Sequence, residues 1–285
     1  MFGKTRQSYH KRYQHEHCRQ LNAAIVLDLV REIRHRQKRV GTRKLIGMLQ
    51  LPLSQHGIKL GRDKLFDLLA SNNMLIRKRK RRRPVTTDSN HPFRKYPNLI
   101  RGLDISYANQ VWVSDITYLS LSGGRFCYLS LITDVYSRKI VGHCLYPSLK
   151  KEGPLLALKK ALSTREKSIF YKTIHHSDRG LQYCSRDYIS ELEQASTSIS
   201  MTENGDPGEN AIAERVNGIL KSEFSLDKQF SSYEQACIAV EESIQIYNQQ
   251  RLHTSRNYLT PDQVYQQASG SIPSRWKSRK KVAVT

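Results

Sequence analysis

Three apolar runs rich in β-branched and aromatic residues, 111–121, 126–133 and 139–146, follow one another with only short turn segments such as Ser122-Gly123-Gly124 between them. Runs of this kind read as strands, and links this short join antiparallel neighbours. Behind them 153–162 reads as an amphipathic helix, 172–178 as a fourth strand, 186–195 as a helix and 198–201 as a fifth strand. A strand-helix-strand connection is long enough for a parallel pair and is right-handed. The expected fold is therefore α/β, a mixed five-stranded sheet with flanking helices.

Two acids sit on these strands. Asp115 interrupts Val111-Trp-Val-Ser-Asp-Ile-Thr-Tyr-Leu119, and Asp178 ends Lys172-Thr-Ile-His-His-Ser-Asp178 just before Arg179-Gly180. A third, Glu214, lies where Ile212, Val216 and Ile219 recur at helical spacing. Asn210, Glu214, Asn217 and Lys221 form one polar stripe on that helix. If the two strands are neighbours and the helix crosses their end, the three carboxylates converge. Such a set suits hard divalent cations, which take oxygen ligands and leave positions open for phosphate and water. Two such ions can hold the attacking and leaving oxygens of an in-line phosphoryl displacement. A lone Asp after a strand is more often a turn or cap residue, and Asp134, Asp104, Asp187, Asp206 and Asp262 compete on those terms.

Charge points to a polyanionic partner. The chain has 285 residues, 47 Lys plus Arg against 25 Asp plus Glu, and a net charge of +22. Residues 1–103 hold 25 basic and 6 acidic side chains, whereas 104–274, with all three acids, hold 17 and 19. Five scattered cysteines form no Cys-x-x-Cys pair, so neither a zinc ribbon nor a disulfide framework is expected, and the compartment reads as reducing. No signal peptide or membrane span is expected, since 1–17 is basic and polar and the longest apolar run, 23–30, contains Asp28.

The basic N-terminal region reads as helical. Leu21, Ile25, Leu29 and Ile33 repeat every four residues; a second helix is expected from Thr42 as N-cap until Pro52 stops it, and a third over 61–72. Lys59, Arg62 and Lys64 stand where a DNA-facing helix would begin, giving a small all-α domain of helix-turn-helix character. Next come seven consecutive cations, Arg77, Lys78, Arg79, Lys80, Arg81, Arg82 and Arg83. Charges this dense do not pack, so the run is read as an extended linker that contacts phosphate, against a solvated spacer or import signal. The expected division is 1–76 helical DNA-binding domain, 77–103 basic linker, 104–268 catalytic core and 269–285 basic tail. His15, His17 and Cys18 lack a second ligand pair, and no Walker A or Gly-x-Gly-x-x-Gly run supports nucleotide hydrolysis.

The words around the three acids carry a resemblance. Trp112-Val-Ser-Asp-Ile-Thr-Tyr-Leu119, His176-Ser-Asp-Arg-Gly-Leu-Gln-Tyr183, and Asn210-Ala-Ile-Ala-Glu214 with Leu220-Lys221-Ser-Glu223 occur in order, with 35 residues between Asp178 and Glu214. Tyr247-Asn-Gln-Gln-Arg-Leu-His253 and Thr260-Pro261 follow. The chain resembles the OrfB part of IS-three family insertion-sequence transposases. It departs from that pattern at Gly208-Glu209, where the family has an aromatic and Asp, and at Val40-Gly-Thr-Arg43, where it has Tyr-Gly-Tyr-Arg. Neither departure touches the three acids.

The resemblance implies a ribonuclease-H-like, DDE-type integrase core. It implies Mg²⁺- or Mn²⁺-dependent DNA cleavage and strand transfer, with two ions held by Asp115, Asp178 and Glu214. Lys221 would contact DNA near the scissile phosphate, and Asn210 would support the glutamate helix. By alternation, His175 or His176 falls on the acid's side; His176 is taken as a supporting residue. Implied partners are double-stranded DNA of element ends and target, an upstream OrfA partner or fusion, and further copies of the chain on DNA, in a bacterial cytoplasm at the nucleoid. The competing class is a non-catalytic DNA-binding regulator or decayed copy, yet all three acids are retained.

Overall fold

The computed structural model describes residues 6–76, 92–165, 172–203 and 207–267. It divides into two compact units, Met1–Arg81 and Arg82–Thr285. The first contains α1 (Arg6–Arg36), α2 (Thr42–Gln55) and α3 (Arg62–Ser71). Val26 and Val30 of α1 meet Leu45 and Leu49 of α2 and Leu65 and Leu69 of α3 in one buried cluster. The Arg34 guanidinium donates to the Met74 carbonyl at 2.6 Å, fastening the chain beyond α3 to α1.

Helix boundaries here differ from expectation. α1 runs 31 residues, and its first half is exposed, so no apolar stripe announces it. Gly41, not Thr42, caps α2; Thr42 is its first residue and is buried. Pro52 lies inside α2 rather than ending it. Proline deletes one backbone donor, and this close to the helix end a single further turn tolerates the loss. Lys59, Arg62 and Lys64 are exposed at the start of α3, with Arg62 paired to Asp63 at 2.9 Å. Residues 77–83 and the basic tail lie outside the described residues.

The second unit opens with a meander of β1 (Val111–Ser120), β2 (Phe126–Asp134) and β3 (Ile140–Tyr146). α4 (Glu152–Thr164), β4 (Ile174–Ser177), α5 (Arg186–Gln194) and β5 (Ser198–Met201) follow, then α6 (Ala211–Glu223), α7 (Tyr233–Gln249) and α8 (Pro261–Gln266). The sheet order is β3-β2-β1-β4-β5, antiparallel on the β2 side of β1 and parallel on the β4 side. This is a ribonuclease-H-like mixed sheet. Leu119, Leu129 and Leu131 bury one face against Val216, Leu220 and Ile244 of α6 and α7. Trp112 and Ile132 bury the other against Ala157, Leu158, Tyr188 and Leu192 of α4 and α5. α4 lies so close to β3 that a Cβ on Gly142 would stand 2.2 Å from the Ala157 carbonyl. Residues 97–100, expected as linker, pack with this unit, where the Pro97 carbonyl accepts from Met201 N and Leu99 N donates to Ser200 Oγ.

Asp134 settles its own competition. It is fully buried at the end of β2, and its carboxylate accepts from Ser137 N and Oγ and from Asn109 N, so it closes the β2–β3 turn. Thr260 caps α8 in a capping box, with Pro261 as first helical residue. All five cysteines are free. No helix among the described residues is long and apolar enough to cross a membrane.

Candidate active site

Strand register brings the two aspartates together. β1 pairs with β4 through Val111, Trp112 and Val113, with Val113 opposite His176. The strands are parallel, so two further residues on each set Asp115 level with Asp178. Asp178 is not itself a strand residue; β4 ends at Ser177 and Asp178 is the first residue beyond it. There its Oδ1 accepts from Gly180 N at 3.0 Å. A Cβ at Gly180 would meet that same oxygen at 3.0 Å, so a larger residue there would press on the carboxylate. Asp115 and Asp178 line one pocket of about 470 Å³.

α6 is pinned across the end of these strands by two asparagines. Asn210 Nδ2 donates to the Ser114 carbonyl at 2.9 Å, fixing the start of α6 one residue before Asp115. Asn217 Nδ2 donates to Asp115 Oδ2 at 2.7 Å, while Asp115 Oδ1 accepts from Ile116 N at 2.9 Å. Asn217 was visible in sequence only as one member of the polar stripe, with no role of its own. Glu214 stands on the same helix, exposed, outside the residues that line the pocket. Its charge still reaches Asp115. Burial first, then Asp178, and more weakly Glu214, push the Asp115 carboxyl up to about 7, against the bonds from Asn217 and Ile116.

Among the described residues no three His, Cys, Asp or Glu side chains are grouped closely enough to hold a metal ion. The aspartates share the pocket; Glu214, on a long exposed side chain, is the one set apart. Lys221, two turns along α6, places Nζ 4.2 Å from the Tyr118 ring. Burial lowers its pKa, while Asp115 and Asp227 act to raise it. Both strand histidines are buried. His175 Nε2 lies 2.6 Å from Ser114 Oγ and 2.9 Å from Tyr188 Oη, and burial lowers its pKa to about 3. His176, two residues before Asp178, shares its face; Nδ1 meets Ser200 Oγ at 2.8 Å, and burial lowers its pKa to about 4. Both are thus neutral imidazoles at neutral pH.

The state of Asp115 has a measurable consequence. A carboxyl whose pKa is about 7 in the folded chain, against an ordinary 3.8, binds its proton more tightly folded than unfolded. Stability therefore falls as pH rises from about 4 to about 7, because ionisation must then be forced on a crowded group. In chelator, Asp115→Asn is expected to be more stable than the parent at pH 8 by about 1–3 kcal/mol, discounted for the group's partial exposure. The difference should vanish near pH 4. Thermal melts at the two pH values check this, and equal stabilities at pH 8 would remove the crowding.

Comparison with known proteins matches this architecture. Two models described as integrase core domain match residues 106–207 and 195–261. The chain is 36% identical over 266 residues to the uncharacterized 31 kDa protein of insertion element IS600 from Shigella sonnei, covering 92% of this chain and 94% of that one. It is 35% identical to the transposase for insertion sequence element IS629 of Shigella sonnei, over 54% of this chain and 50% of the relative. It is also 35% identical to transposase InsF for insertion sequence IS3fB of Escherichia coli K12, over 54% and 53%. In these last two the match spans about half of the relative's length. With the register of the acidic strands and near full-length similarity to an insertion-element protein, the chain belongs to the IS-three family of insertion-sequence transposases, which carry a DDE-type polynucleotidyl transferase core.

Proposed function

We propose that this chain cuts DNA at insertion-sequence ends and joins the freed 3′-hydroxyls to target DNA, with Asp115, Asp178 and Glu214 as its catalytic carboxylates. The observation that carries this is the β1–β4 register, which sets two acids level in one pocket while the charge of a third is felt at Asp115. The donor set is all oxygen, and Asp178 and Glu214 add like charge to the burial that already raises the Asp115 pKa, so the residues fit a hard cation. Asp115, Asp178 and Glu214 would hold Mg²⁺ or Mn²⁺, two ions in the full site. Bound there, such ions neutralise charge on the phosphoryl oxygens and lower the pKa of water or hydroxyl.

The chain's own groups do the rest. Asn217 and Ile116 N–H each hold one oxygen of Asp115 and so fix the orientation of its carboxylate, while Asn210 keeps α6 seated over the strand ends. Lys221 offers a cation to the phosphate beside the one that reacts. In the first reaction water adds to phosphorus and the 3′-oxygen leaves with a proton; in the second a 3′-hydroxyl replaces water, so no external energy source is needed.

For DNA grip the reading assigns residues 1–76 as the end-binding domain, with Arg62 and Lys64 exposed on α3, and residues 77–83 as phosphate contacts. An OrfA partner, assembly of several copies on DNA, and a place at the bacterial nucleoid complete it. The test uses purified protein and duplexes ending in the inverted repeats that flank its gene. In Mg²⁺ it is expected to release ends with 3′-hydroxyls, and a chelator stops the reaction. No cleavage in either Mg²⁺ or Mn²⁺, with or without the upstream OrfA product, would overturn the reading.

A further inference from the structure

The pocket that holds Asp115 and Asp178 is larger and more apolar than phosphate chemistry requires. Its remaining wall is built mainly from Tyr118, Phe126, Tyr128, Leu149, Leu181 and Tyr183. Strand pairing explains the aromatic side. Tyr118 stands directly opposite Tyr128 on β2, and Phe126, two residues earlier, shares their face. Phe126 meets Tyr118 edge to face with ring centres 5.5 Å apart. The pocket is reachable from the carboxylates because the β1–β4 ladder ends at Val113, leaving the β1 edge beside Asp115 without that neighbour.

Several features mark this wall as a binding surface. Phe126, Leu149 and Leu181 are 47%, 43% and 41% exposed, an unusual grouping of large apolar side chains at one rim. Gln182 Nε2 donates to the Leu149 carbonyl at 2.9 Å, joining two rim loops so that the pocket is already formed. The Tyr183 hydroxyl is buried and has no hydrogen-bond partner among the described residues, which leaves a polar atom unsatisfied in this wall. Lys221 lies over Tyr118, so a cation stands where aromatic wall and carboxylates meet.

We infer that this pocket takes an unpaired nucleobase of the DNA, that of a nucleotide adjoining the cleaved phosphate, stacked on Phe126. The inference rests on the transposase reading above. A ligand continuous with the scissile phosphate has phosphates for Lys221 and a flat apolar ring for the aromatic wall. A volume of about 470 Å³ has room for one base with its sugar. A stacked base has both faces covered by its neighbours, so the nucleotide must turn out of the helix, at least cost where pairing is already weak. Stacking on an aromatic side chain tolerates any base, so the pocket would select for strand opening rather than sequence.

The test uses the full chain and duplexes ending in the flanking inverted repeats. Phe126→Ala is expected to bind paired ends roughly tenfold more weakly and to cleave them correspondingly less, whereas Phe126→Trp keeps both. Phe126 is half exposed, so its truncation leaves the core intact. An abasic site is then placed in turn at each of the three nucleotides on either side of the cleaved phosphate. At one position parent and Phe126→Ala should bind alike, because the ring that stacks is gone. At the same position 2-aminopurine should change fluorescence on binding the parent and not the variant. Equal binding of paired ends by parent and Phe126→Ala, or a tenfold loss that persists at every abasic position, overturns the pocket assignment. If the parent cleaves normally in those experiments, transposase function stands without it. If the parent cleaves no end at all, both fall together.

Discussion

Asp178→Asn is expected to lower strand cleavage in Mg²⁺ by roughly three orders of magnitude or more, while affinity for end DNA stays within about twofold. The substitution is close to isosteric. Asn retains an oxygen that can accept from Gly180 N, so the tight loop after β4 keeps its closing bond. What disappears is one negative charge from the two that line the pocket. The basic surface is untouched, so binding persists. Because Asp178 is the largest charge acting to raise the Asp115 pKa, the same variant should move Asp115 back toward an ordinary aspartate. Cleavage assays with gel-shift titrations separate the two effects. A variant that cleaves like the parent would exclude Asp178 as a metal ligand.

The three-stranded meander was legible because residues with strong turn preferences separate its strands. Gly123 and Gly124, both at positive φ, punctuate the first link, and Ser137 with Asp134 closes the second. Apolar, β-branched runs did the rest, down to β5 at 198–201, whose bounds match. The N-terminal helices were harder for a physical reason. Most of the first 19 residues of α1 are exposed, Leu21 of the expected four-residue repeat among them, and the helix is fully buried only where Val26, Leu27 and Val30 meet α2 and α3. Thr42 has the chemistry of a cap but is buried, and the extended residue before it, Gly41, caps without a side chain.

Within the site, most elements were readable, though Asp178 is the first residue beyond β4 and Asn210 caps α6 rather than lying in it, and the partners were not readable. Asn217 could be placed on the polar face of α6, but its target is an oxygen 102 residues away in sequence, fixed only when β1 and α6 pack. Glu214 illustrates the opposite limit. Its helix and face follow from spacing, whereas its exposure apart from the two aspartates depends on side-chain freedom and on repulsion between like charges. The Tyr247 to His253 segment matched a family word without revealing what it does. In the fold it is a clamp. Tyr247 Oη donates to the Arg138 carbonyl, and Asn248 brackets Ile140 by donating to its carbonyl at 3.0 Å and accepting from its N–H at 2.9 Å.

Another member of that clamp, Arg251, carries a large expected stability effect. Arg251, 4% exposed, makes two parallel bonds to Glu223, Nε to Oε2 at 2.9 Å and Nη2 to Oε1 at 2.8 Å, and its Nη1 lies 2.8 Å from His253 Nε2. Glu223 is the final residue of α6, the helix that carries Glu214. One bidentate pair thus ties the end of the glutamate helix to the chain beyond α7. Removing only one partner strands the other charge in a largely dry site, which costs far more than the pair itself contributes. Arg251→Ala is expected to destabilise the chain by about 3 kcal/mol, a fall of roughly 6–12 °C in Tm for a domain of this size. Replacing both partners, Arg251→Met with Glu223→Leu, removes the stranded charge and should recover most of that loss. Calorimetry on the two variants discriminates the cases. A change below about 1 kcal/mol in Arg251→Ala would mean the pair behaves as a solvated surface bridge. If the double variant recovers stability but not cleavage, the pair also sets where α6 holds Glu214 against the two aspartates.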